Sequence, residues 1–198
     1  GNLVVLSIKP LSIMFGAVLL FTIITIYNST ISANTSNEDI ARVVFKYSSS
    51  TDFEAVKDIA GYKLFLRDEG DYINLIGVES VLNDRWLDSR TIMGQYEKSN
   101  GDYSISTIYD NNNEDNVSMS IAVFGKNKNA SKVEINFNGK NYVEEINPNE
   151  YFLVVFPSFE VLENNDIDNL YNGEESKILN IRFLDSNENY YNDMRFAN

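Results

Sequence analysis

The chain has 198 residues and a net charge of −13, from 29 acidic against 16 basic side chains, and contains neither cysteine nor histidine. That length suffices for a hydrophobic core in one or two domains, and the missing cysteine and histidine remove disulfides, thiol chemistry, the usual base near neutral pH and the commonest metal ligand. A surface this acidic repels phosphate backbones, which excludes nucleic acid as a partner.

The first element is the stretch from Leu11 to Tyr27, LSIMFGAVLLFTIITIY, seventeen residues without a charge. As a helix it measures roughly 25 Å, a little short of a hydrocarbon core unless Ser29–Ala33 extends it. Lys9 precedes it and Glu38 and Asp39 follow, so positive-inside logic predicts a cytoplasmic N-terminus and an extracytoplasmic remainder. Residues 1–29 therefore read as a membrane anchor, with the membrane as partner through residues 11–27. A cleaved signal peptide is the alternative and would release a secreted protein, but its nearest cleavage site, Ile31-Ser32-Ala33, begins with a bulky residue. A buried helix of a soluble fold is the third reading, and it should show a polar face where this stretch has only scattered Ser and Thr.

Residues 30–39 are small and polar and read as a tether. From residue 40 short apolar runs alternate with turn residues, the rhythm of an antiparallel β domain. Ile40–Tyr47 opens it. Thr51-Asp52-Phe53-Glu54 has the form of a capping box, with Phe53, Val56 and Ile59 on one helical face and Gly61 as a stop, so a short helix is predicted there. Strands are predicted at Tyr62–Arg67 and Tyr72–Leu82 about the turn 68–71, then near 89–97 and 103–109. The polar run at 110–116 marks a loop or subdomain boundary, which divides the region into 40–115 and 117–198.

Beyond it, Val117–Gly125 leads to SKVEINF-NG-KNYVEEI, in which Asn138-Gly139 suits a type I′ turn between alternating strands. The run YFLVVF, Tyr151–Phe156, reads as a central strand covered on both faces. After the acidic loop 160–175, Lys177–Leu184 and Tyr190–Phe196 form a closing hairpin about Asp185–Asn189. The strand rhythm of 117–198 resembles bacterial immunoglobulin-like modules, which implies a β-sandwich over that half. The preceding portion resembles extracytoplasmic domains carried on single-pass anchors. The predicted fold is thus mainly β: an N-terminal transmembrane helix followed by an antiparallel β-rich region with one short helix.

No G-x-S-x-G, S-x-x-K or glycine-rich phosphate motif occurs, and a Ser-His-Asp triad is impossible without histidine. No catalytic, cofactor-binding or metal residue is assigned. A carboxylate-pair hydrolase is the remote alternative, since glycoside chemistry needs only two suitably placed acids. Asp185-x-Asn187-x-Asn189 matches the first three ligands of a calcium loop, but Tyr190 stands where glycine is needed and Phe196 where glutamate is.

Among the aromatics, Tyr142, Phe152, Phe156 and Phe183 read as core. Trp86, Tyr190 and Tyr191 lie beside acidic turns and are the predicted contact surface. The expected function is a non-catalytic, membrane-anchored accessory or interaction subunit whose partner is another membrane protein. The alternative is a surface module that binds cell-wall glycan or peptide through those aromatics.

Overall fold

In the computed structural model, which describes residues 8–59, 61–81, 85–110, 118–137, 139–160 and 179–197, the short apolar runs between turn residues resolve into antiparallel strands and the chain is mainly β. Two helices, α1 (Ile8–Asn28) and α2 (Asn37–Val44), precede most of them. Twelve strands are described: β1 (Thr30–Ser32), β2 (Ala55–Ile59), β3 (Tyr62–Glu69), β4 (Tyr72–Val81), β5 (Arg85–Leu87), β6 (Thr91–Glu97), β7 (Tyr103–Asp110), β8 (Ser118–Lys126), β9 (Lys132–Phe137), β10 (Lys140–Glu145), β11 (Tyr151–Glu160) and β12 (Leu179–Leu184). The segments expected to form loops at 111–116 and over most of 160–175 lie outside the described residues.

The strands form three sheets. The first runs β1-β5-β4-β3-β2, and β4 is long enough to pair with β5 at one end and β6 along the rest of the same edge. The second runs β11-β8-β7 and the third β10-β9-β12. Alternation along each strand stacks them. On β3, Phe65 faces α2, where it meets Ile40, Phe45, Ile76 and Val78. Its neighbours Leu64 and Leu66 face the opposite way, onto Phe124, Leu153 and Val155 of the second sheet. On β8 and β11 the intervening residues, Ile121, Val123, Phe152 and Val154, meet Val133, Ile135 and Phe183 of the third. The result is four layers, α2 and then three sheets.

Several sequence expectations fail for identifiable reasons. The helix belongs at 37–44, not at 53–61. Ser36 accepts the Asp39 amide at 3.2 Å and returns its hydroxyl to the Asp39 carboxylate, a local cap that the acidic first turn reinforces. Around Thr51 the would-be cap is preempted, because buried Arg67 donates to the carbonyls of Ser50 and Asp52 and the Glu54 amide donates to Leu66. Ala55–Ile59 consequently pairs with β3, and Gly61, at φ 77°, lies in the connection to it. The 30–39 stretch is not a plain tether, since Thr30–Ser32 pairs with β5 and Ser36 opens α2.

The boundary drawn at 116 falls between β7 and β8, which pair along the whole of β7, and the inner core joins residues from both proposed halves. Tyr190–Phe196 makes only single bridges, Leu184 to Tyr190 and Tyr103 to Phe196, instead of a closing strand. Tyr151–Phe156 is covered on both faces as expected, but β11 lies at the edge of its sheet and β8 is central. The hairpin of β9 and β10 has the predicted register, Phe137 opposite Lys140, with Gly139 at φ 78°; Asn138 lies outside the described residues.

Candidate functional site

From Ser12 to Asn28 the N-terminal helix is uncharged and exposed on every side. Phe15, Phe21 and Ile13 are 77, 72 and 71% exposed, and Val18, Leu19, Leu20, Ile23 and Ile24 are exposed with them. Its hydroxyls turn inward: Thr22 donates to the Val18 carbonyl at 2.9 Å and Thr25 to that of Phe21 at 2.8 Å. The helix ends where β1 begins, so the extension into Ser29–Ala33 that a span of this stretch called for does not occur. Among the described residues no helix is long and apolar enough to cross a membrane.

Arg85 pins this helix to the first sheet. Its guanidinium sits 4.1 Å from the centroid of the Tyr27 ring and donates to the Thr30 hydroxyl, the Thr30 carbonyl at 3.0 Å and, more distantly, the Tyr27 carbonyl. A cation at a helix C-terminus meets the unsatisfied carbonyls of the last turn.

The three aromatics predicted as a contact surface do not converge. Trp86 is on β5, partly buried against Ile31 and the α2 layer, with the Lys63 ammonium 5.3 Å from its ring. Tyr191 packs on the core of the last two sheets. Tyr190 alone is open, at 61% exposure, and its hydroxyl accepts from Arg182. Beside it, both the Asn187 and Asn189 amides donate to Asp185 Oδ1, at 2.8 and 2.9 Å, the geometry of a self-bonded turn. The core assignments do hold: Phe152, Phe156 and Phe183 are buried and Tyr142 packs against them.

A site that sequence reasoning missed lies at one end of the first two sheets. A cleft of about 260 Å³ is lined by Ile73, Tyr96 and Gly101 and by three lysines, Lys98, Lys126 and Lys128. Two carboxylates order it. Asp68 receives Lys98 Nζ at 2.5 Å and the Tyr151 hydroxyl. Asp102 receives Lys128 Nζ at 2.7 Å and the Arg195 amide at 2.8 Å. Burial raises the pKa of each acid, but these donors outweigh it and hold both below the ordinary carboxylate range. Burial lifts the Tyr96 hydroxyl well above the ordinary phenol range, and that hydroxyl donates to the Asp102 carbonyl at 2.8 Å.

The backbone at this end is tightly fitted. A β-carbon on Gly101 would stand 2.5 Å from the Ala197 nitrogen, and one on Gly125 would stand 2.2 Å from the Asp102 oxygen. The C-terminal residues are clipped there by paired hydrogen bonds, Asp102 amide to Arg195 carbonyl and Ala197 amide to Tyr103 carbonyl.

The chain matches no family model, no curated protein and no solved structure. Its chemistry is therefore read from its own side chains. Among the described residues no group of three acidic, histidine or cysteine side chains is placed to hold a metal ion. The cleft offers ammonium donors over an apolar floor, an arrangement suited to holding an anion. In sequence its only trace is Lys126-Asn-Lys128, two cations at strand spacing in an acidic chain.

Proposed function

We propose that this protein is a non-catalytic accessory or protein-interaction subunit held at the outer face of a bacterial membrane by α1, with the N-terminus cytoplasmic and the β layers, which include an immunoglobulin-like sandwich, outside. The observation that carries the reading is the exposure of α1 on all sides. A helix apolar all round is at home in lipid or in a protein core, and among the described residues none forms a core around α1. The described helix falls short of a span by itself, so the reading rests on that exposure and not on length.

Two further features agree with it. The helix hydroxyls are satisfied by carbonyls four residues back, which lets Thr22 and Thr25 sit in lipid at little cost. Arg85 and Tyr27 stand together at the helix end, the residue types favoured where a helix meets the headgroups.

The full chain expressed in a bacterium tests the proposal by fractionation. It should stay in the membrane pellet through alkaline carbonate and high salt and leave it only in detergent, and external protease on spheroplasts should cleave the β domain. Recovery of the full chain in the soluble fraction, or protection of the domain from external protease, overturns it.

A further inference from the structure

We infer that the cleft between Tyr96, Lys98, Lys126 and Lys128 binds the carboxylate of a small organic or peptide ligand, a property independent of where α1 resides. Charge is the first reason. In a chain of net charge −13, three lysines, Lys98, Lys126 and Lys128, line one cleft together with a single carboxylate, Asp102. The lining of the cleft itself thus carries more positive than negative side chains.

Donor capacity is the second. Each ammonium has three N–H groups. Lys98 gives one to Asp68, and Lys128 gives one each to Asp102 and the Asp193 carbonyl. Lys126 has no carboxylate within ion-pair distance among the described residues; it is exposed, with its nitrogen 5.1 Å from the centroid of the Tyr151 ring. Asp68 and Asp102 therefore act as struts that hold two lysines in place while Lys126 is left to meet a ligand. The amide of Asn127 is consumed by the Ala130 and Asn147 carbonyls and supplies nothing.

Shape and field select the ligand. The floor of Ile73 and the Tyr96 ring is apolar, which favours an organic body over a bare inorganic ion. About 260 Å³ accommodates a group of dipeptide size. The strongly negative chain as a whole repels a polyanion, whereas a single carboxylate experiences mainly the local surplus.

The test is isothermal titration of the full chain in detergent micelles with N-acetyl-alanyl-alanine, with its C-terminal amide and with inorganic phosphate. The free acid should bind at least about tenfold more tightly than the amide, since the discriminating contact is charge-assisted. Lys126→Gln, an exposed change that leaves both struts in place, should weaken the acid by about tenfold, and Lys140→Gln on β10 should leave it unchanged. Equal binding of acid and amide, no binding of the acid, tighter binding of phosphate than of the acid, or an unaltered Lys126→Gln variant overturns the assignment.

Discussion

Arg85 stacks on the ring of Tyr27, 4.1 Å from its centroid, and so ties the last turn of an exposed apolar helix to the edge of a β-sheet. Sequence separates the two residues widely; the pairing of β1 with β5 brings them together. Arg85→Ala removes the stacking and the bonds to Thr30, and should lower stability by about 1–2 kcal/mol. Arg85→Lys, which keeps the charge but loses the planar fork, should recover only part of it. Denaturant melts of the full chain in detergent measure both, and equal stability of all three proteins would refute the clamp.

The two capping motifs give opposite expectations. Ser36 caps α2, so Ser36→Ala should destabilise the fold by about 1 kcal/mol. Thr51, in a motif of the same form, precedes no helix, and Thr51→Ala should fall within about 0.5 kcal/mol of the parent. Matched thermal melts decide the comparison.

Phe124 is fully buried where the first and second sheets meet, packed with Leu64, Leu66 and Tyr96. Phe124→Ala should cost about 3–5 kcal/mol. Because that core joins residues before and after 116, the β region should unfold in one transition followed equally by Trp86 fluorescence and by circular dichroism. Two separated transitions would restore a two-unit description.

Gly125 has no room for a side chain against the backbone of Asp102. Gly125→Ala forces strand β8 away from Asp102 and Tyr103 and should cost about 1–3 kcal/mol or more. Gly16, with open space around it, should accept alanine without loss of stability.

Asp68 and Asp102 both titrate below their unfolded values. Stability from such groups is fully present above the unfolded carboxylate pKa of about 3.9 and is lost as pH falls through the lower folded values. Stability should therefore decline from about pH 4 downward, and Asp102→Asn should flatten that decline while lowering stability at neutral pH. An unchanged slope in Asp102→Asn would show that Asp102 does not contribute to it.

Sequence alone determined what depends on short-range pattern and on composition. Short apolar runs between turn residues placed β3, β4 and β6 to β8, and strict alternation placed the hairpin of β9 and β10, because a strand with one buried face must repeat every second residue. The absence of histidine and cysteine excluded whole chemistries before any fold was known. Tertiary structure decided the rest. A capping box is a four-residue signal, and only the reach of Arg67 to the carbonyls of Ser50 and Asp52 turned Thr51–Glu54 away from helix while Ser36 kept its own cap. The packing of Trp86 against the α2 layer follows from its place on β5, which pairs β1 with β4, and not from the acidic turn residues beside it in sequence. The lysine cleft needed the layering of two sheets and the clipped C-terminal residues, since Lys98, Lys126 and Lys128 become neighbours only when residues far apart in the chain are packed together.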